Sequence, residues 1–230
     1  MPETAAILAA AGRGVRLGAE IPKQFLEVRG RPLFLYSLSV LEEHPGISEI
    51  VVAVPPGWEE RVFTIIRKEG FRKVKAVVPG GGSRQESVRR AFLRISRRVE
   101  AVLVHDAARP LLSADLVSRV LEAVWLEGAA LPAVPVRDTV KLAREGRVVR
   151  TVPREGLFLA QTPQGARREW FEEALRRAGD REFTDEAALL EAAGFPVRVV
   201  PGSPLNLKLT YPEDLVLVEK LLGLDIRPKL

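Results

Sequence analysis

Short, almost wholly apolar runs alternate along this chain with longer stretches in which apolar residues recur every three or four positions. The runs predict strands buried on both faces, and the longer stretches predict amphipathic helices. Ala5–Ala9, Ser48–Val54, Lys73–Val78 and Ala101–Val104 are the predicted strands, each bounded by glycine or proline. Pro32–His44, with Leu33, Tyr36, Leu38 and Leu41 near helical spacing, and Arg84–Ile95 are predicted helices. Strands alternating with helices predict an α/β fold around a mostly parallel sheet, with residues 1–230 expected to form a single domain.

The pattern changes after Val136. Arg137–Ala143 and Arg147–Val152 alternate in polarity and are joined by Arg144-Glu145-Gly146, which predicts a β-hairpin arm over residues 137–153. A lone hairpin is marginal in water, so the arm is expected to pack against a second copy of the chain. Beyond it, Arg167–Arg177, Thr184–Ala193 and Pro212–Leu222 predict helices, and Pro196–Val200 and Leu207–Leu209 predict strands.

Composition narrows the chemistry. The 230 residues are 47% hydrophobic and 28% charged, ordinary globular material. Apolar runs such as Leu131–Val136 fall well short of the roughly 20 residues a membrane span needs, and Met1-Pro2-Glu3-Thr4 lacks the basic flank of a secretory leader. The expectation is a cytoplasmic protein that engages no membrane. Without cysteine there is no disulfide, thiolate zinc site or thiol nucleophile. The net charge of +5 reflects 27 arginines and 8 lysines spread among 30 acids, with scattered aromatics at 6%. A nucleic-acid surface concentrates its charge, so no nucleic-acid partner is expected; arginine recognition of small phosphates fits at least as well.

The first predicted strand runs into Ala10-Ala11-Gly12-Arg13-Gly14-Val15-Arg16-Leu17-Gly18, followed by Pro22-Lys23-Gln24. Glycines here let the backbone approach an anion closely. The spacing matches neither a dinucleotide fingerprint nor a P-loop. What remains is a turn that delivers Arg16 and Lys23 to the carboxyl edge of the sheet, where α/β ligands bind. Pro79-Gly80-Gly81-Gly82-Ser83-Arg84-Gln85-Glu86-Ser87 is a second glycine loop, suited to hold a base or ribose with Ser87 adding a hydroxyl, while Ser83 and Glu86 have the spacing of a capping box. Asp106, in Val104-His105-Asp106-Ala107-Ala108-Arg109-Pro110, emerges at the same edge. One such carboxylate is enough to anchor a magnesium ion that keeps its waters and takes substrate phosphates. As a plain structural residue, Asp106 would instead cap a helix or pair with Arg109. His105 is expected to be a packed, hydrogen-bonded residue, and Thr184 a helix N-cap.

Hydroxyls and cations thus gather at strand ends without a histidine–carboxylate pair, and no hydrolase triad is visible. Phosphoryl-type transfer needs little more than positioning and charge stabilisation. A phosphate monoester nucleophile, with a second pKa of about 6, is already dianionic at neutral pH and needs no base. Ala10-Ala11-Gly12-x-Gly14-x-Arg16-Leu17 with Pro22-Lys23-Gln24 resembles the signature of nucleotidyltransferases that join a nucleotide to a sugar or polyol phosphate. His105–Pro110, Pro135-Val136-Arg137-Asp138-Thr139, Gln161-Thr162-Pro163-Gln164, Thr184-Asp185-Glu186 and Asn206-x-Lys208-x-Thr210 follow in order. Together they resemble the 2-C-methyl-D-erythritol 4-phosphate cytidylyltransferase family of non-mevalonate isoprenoid synthesis.

That resemblance implies a Rossmann-like nucleotidyltransferase coupling CTP to methylerythritol phosphate with magnesium. It implies that Ala10, Ala11, Gly12, Gly14, Gly81, Gly82 and Ser87 cradle CTP, that Arg16 and Lys23 are catalytic, and that Asp106 lies beside the metal or ribose. Thr162, Thr184 and Lys208 would line the acceptor site, with Arg109, Thr139 and Arg154 reaching it from a homodimer partner. A transferase for another polyol phosphate, such as ribitol 5-phosphate, or a noncatalytic nucleotide-binding regulator is the alternative.

Overall fold

The computed structural model describes residues 3–12 and 22–223. Three strands carry the sheet's centre, β1 (Thr4–Ala9), β4 (Glu49–Val54) and β6 (Ala101–Asp106), with β2 (Glu27–Val28) and β3 (Arg31–Pro32) forming a small separate ribbon. The helices packed on the first half are α1 (Phe34–Glu43), α2 (Glu59–Lys68) and α3 (Arg84–Phe92), the last following β5 (Val74–Pro79). Next come α4 (Ala114–Glu127), β7 (Ala129–Pro135), the hairpin β8 (Val140–Arg144) and β9 (Arg147–Val152), β10 (Phe158–Ala160) and β11 (Gln164–Arg167). The described chain closes with α5 (Arg168–Ala178), α6 (Glu186–Ala192), β12 (Arg198–Pro201) and α7 (Pro212–Leu221).

The main sheet runs β10-β7-β11-β6-β1-β4-β5, with β12 also paired to β7. β1, β4, β5 and β6 are mutually parallel where they pair, whereas β10 and β11 run antiparallel to their neighbours. Both faces of the central strands are covered, which is why they read as unbroken apolar runs. Alternate side chains serve opposite cores. Leu8, Val52 and Leu103 pack with Phe34, Leu38 and Val120 from α1 and α4, while Ile7, Val51 and Val104 pack with Val88, Phe171 and Leu190 from α3, α5 and α6. Each such fully buried side chain contributes about 1.5–3 kcal/mol.

Several boundaries differ from the sequence reading. Pro32 lies in β3 and α1 starts at Phe34; the predicted Arg84–Ile95 and Thr184–Ala193 helices span Arg84–Phe92 and Glu186–Ala192. Leu207–Leu209 forms no strand. Among the described residues its one backbone-to-backbone bond to another segment, Leu209 N–H to Ala108 O at 2.8 Å, makes no ladder. The arm is a twisted ribbon with its own two-stranded sheet, and Leu142, Val148 and Val149 on it are exposed.

Candidate active site

The topology brings several connections to one edge of the sheet. Ala9 at the end of β1 lies beside Asp106 at the end of β6, and Val54 at the end of β4 lies beside Pro79 at the end of β5. Because β11 is antiparallel to β6, it begins where β6 finishes, so Gln161, Thr162 and Pro163 open onto Asp106. β12 ends at the same edge and delivers residues 202–210. A cleft of about 390 Å³ lies there, lined by residues that include Ala11, Gly12, Lys23, Gly81, Gly82, Arg84, Ser87, Asp106, Lys208 and Thr210.

Both glycine loops are held by side chains. Buried Gln24 donates to Ala10 O at 2.5 Å and to Gly12 O at 2.9 Å, which fixes the start of the first loop. A Cβ on Gly80 would stand 2.3 Å from the Ala11 Cβ and 3.2 Å from Val54 O, so only glycine lets the loops touch. In the second loop Ser83 caps α3 by accepting from Glu86 N–H at 3.2 Å. The Glu86 carboxylate accepts from Gly82 N–H at 2.7 Å, in place of the Ser83 amide that a full capping box would use. Ser87 Oγ accepts from Gly81 N–H at 2.9 Å and donates to Ser83 O at 2.8 Å. Its proton is therefore committed, and it faces the cleft only as an acceptor.

The charges form a chain. Arg84 donates to Asp106 at 3.0 Å and, through both terminal nitrogens, to Glu186 at 2.6 and 2.9 Å. Lys208 reaches the other Asp106 oxygen at 2.6 Å. Burial alone would raise the Asp106 carboxyl, but Arg84 and Lys208 outweigh it and hold the group well below the usual carboxylate range. Burial raises the Glu186 carboxyl, with Arg84 opposing. Asp106 therefore pairs with Arg84 and Lys208 rather than Arg109. Lys23 Nζ donates to Leu209 O at 2.6 Å, tying the first loop's far end to the segment that carries Lys208.

The remaining predicted positions divide. Gly14 and Arg16 lie outside the described residues. Thr162 is buried, and its hydroxyl engages His105 Nδ1 at 3.0 Å rather than lining the cleft. Thr184 is exposed and does not cap α6; Asp185 does, accepting from Ala188 N–H at 2.9 Å. A carboxylate next to the first free amides outcompetes the hydroxyl before it. Arg109 turns back to Asn206 O at 2.7 Å, with Nε buried and unpartnered among the described residues. Thr139 and Arg154 sit exposed at the arm's base, where Arg154 donates to Arg137 O, and neither lines the cleft of its own chain. Sequence reasoning passed over Arg84, Glu186 and Gln24 as site residues. The first two lie 102 positions apart, and no local pattern announces their pairing.

An α/β sheet whose carboxyl edge bears two touching glycine loops and a cluster of cations over one carboxylate is a nucleotidyltransferase fold. Comparison with known proteins specifies it. The family model for IspD, 2-C-methyl-D-erythritol 4-phosphate cytidylyltransferase, matches residues 4–223. A 2-C-methyl-D-erythritol 4-phosphate cytidylyltransferase from Pelotomaculum thermopropionicum is 45% identical over 224 residues, 95% of this chain and 94% of its own. The crystal structure of the Thermus thermophilus cytidylyltransferase superposes with a TM-score of 0.80 at 39% identity, covering 95% of this chain and 98% of that one. The Francisella tularensis enzyme gives 0.80 at 31%, covering 96% and 99%. The chain belongs to the 2-C-methyl-D-erythritol 4-phosphate cytidylyltransferase family.

Proposed function

We propose that this chain transfers the cytidylyl group of CTP to 2-C-methyl-D-erythritol 4-phosphate. The observation that carries the reading is the convergence of Lys23, Lys208 and Arg84 on one cleft in which Asp106 stays anionic. The acceptor's phosphate oxygen forms a bond to the α-phosphorus of CTP as the bond to the bridging oxygen breaks, and pyrophosphate departs with that electron pair. The nucleophile is dianionic, so no enzyme base takes a proton. Lys23, with Arg16 expected beside it, stabilises charge on the triphosphate as it develops. Gly12, Gly81, Gly82 and Ser87 hold the nucleotide's base and ribose side, and Lys208 faces the acceptor phosphate.

The donor set fits a magnesium ion that travels with its substrate. Among the described residues each Asp106 oxygen has one cation partner and a lone pair to spare, and no group of three or more ligating side chains occurs. A bound magnesium ion would shield the triphosphate and ease departure of pyrophosphate, with Asp106 as its protein anchor. The exposed apolar side chains of the arm support a homodimer in which Thr139 and Arg154 complete the partner's acceptor site, whereas Arg109, bonded inward to Asn206 O, stays with its own chain. No described helix is long and apolar enough to cross a membrane, which accords with a cytoplasmic enzyme.

The test supplies each of the four nucleoside triphosphates with methylerythritol phosphate and magnesium and measures liberated pyrophosphate. CTP is expected to dominate, and ribitol 5-phosphate to be a poor substitute acceptor. Nucleotide binding without pyrophosphate release would overturn the reading in favour of a regulator.

A further inference from the structure

His105 is fully buried and has no part in the transfer, yet both of its ring nitrogens are engaged. Nε2 lies 3.1 Å from Arg109 O, Nδ1 lies 3.0 Å from Thr162 Oγ1, and Thr162 Oγ1 lies 3.1 Å from Asp106 N. Every proton in this chain can be assigned. A carbonyl only accepts, so Nε2 carries the hydrogen and donates it to Arg109 O. In the neutral ring Nδ1 is then an acceptor, and the Thr162 hydroxyl must be its donor. That orientation leaves a Thr162 lone pair facing the Asp106 amide, which donates to it. The geometry requires the neutral ring: among the described residues Nδ1 is the only acceptor bonded to the Thr162 hydroxyl, and a hydrogen on Nδ1 would leave that buried hydroxyl with none.

We infer that His105 is a positioning residue whose Nδ1 fixes the Thr162 hydroxyl, so that Thr162 clamps the Asp106 backbone and aims its carboxylate between Arg84 and Lys208. The clamp joins the end of β6 to the turn before β11, beyond the last ladder pair, Val104 with Gln164, where the sheet's own hydrogen bonds have ended. Thr162 acts here through Asp106 rather than by touching the acceptor. The proposal rests on the transferase reading for its kinetic consequence, and on the hydrogen-bond chain alone for its structural one.

The experiment uses the full chain with three readouts. Nitrogen-15 NMR of the parent protein at pH 6 is expected to show His105 neutral with hydrogen on Nε2; an Nδ1–H tautomer or an imidazolium overturns the clamp. In kinetics, His105→Asn keeps an acceptor at the Nδ1 position and is expected to retain most of the turnover. His105→Gln and Thr162→Val each break the Thr162 link and are expected to lower kcat roughly 10- to 100-fold, with the CTP KM little changed. Because the two act through one link, the double variant is expected to be no worse than either single one. Equal losses in His105→Asn and His105→Gln, or losses that multiply in the double variant, overturn the inference. Should the parent release no pyrophosphate, the transferase reading fails, while the tautomer and the same cycle measured on folding stability still decide the clamp.

Discussion

Arg84→Met removes the ion-pair partner that α6 relies on. The guanidinium binds both Glu186 oxygens, and Glu186 is 4% exposed with no second ion-pair partner among the described residues. Asp106 keeps Lys208, so the deficit falls mainly on Glu186. Removing one member of a buried pair leaves an uncompensated charge and costs about 3–5 kcal/mol near neutral pH. The deficit should depend on pH in a defined direction. Burial already raises the Glu186 carboxyl, and losing Arg84 raises it further, so the folded variant takes up a proton that the unfolded chain does not as pH falls. The difference between variant and parent in urea unfolding should therefore be smaller at pH 5 than at pH 8. Adding Glu186→Gln to the variant should recover much of the loss at pH 8. A deficit below about 1 kcal/mol, in the range of an exposed pair, would refute the reasoning, as would a deficit that does not change with pH.

Three further outcomes are expected. Lys23→Ala and Arg16→Ala should each lower single-turnover rates roughly 100- to 1,000-fold with a smaller effect on CTP affinity, measured by rapid quench and equilibrium binding. Gly80→Ala, whose new Cβ would meet Ala11, should cost about 1–3 kcal/mol in denaturant unfolding and weaken CTP binding; unchanged behaviour in both would show that the loops do not need this contact. His105, lowered to about 4 in the fold, stays neutral between pH 4 and 6.5 while the unfolded chain gains its proton, so stability should fall by ~3 kcal/mol as pH drops through that window. His105→Asn should flatten the slope there. Asp106, held low, contributes stability that is lost only at more acid pH.

The central strands were legible because a strand covered on both faces has no polar positions to interrupt it. β11 was not. Gln164-Gly165-Ala166-Arg167 has little apolar content and becomes a strand because β6 and β7 offer ladders on either side, while Gly165 admits Leu103 where a Cβ would stand 2.3 Å from it. Lys23 and Asp106 could be singled out from their places in motifs near strand ends, and Lys208 only from the family resemblance. The pairing of Lys208 with Asp106 and of Arg84 with Glu186 each spans 102 residues and depends on where β6, α3, α6 and the segment after β12 meet. Thr162 was placed at the acceptor site by the family resemblance alone; its partner, His105, is next to Asp106 in sequence but faces inward. The cap of α6 shows the same limit at short range, where Thr184 and Asp185 compete and the carboxylate wins.

Fixed cations and an already ionised acceptor make a protein base unnecessary for the proposed transfer. The direct measurement is the pH dependence of kcat/KM for methylerythritol phosphate, set beside that for an acceptor analogue whose phosphoryl group ionises at lower pH. With the natural acceptor the rate should rise through the monoester's second ionisation, near pH 6, and then stay level. With the analogue the rise should move to lower pH by the difference between the two ionisations. A rise fixed at one pH for both acceptors would assign it to a group on the enzyme and contradict the account.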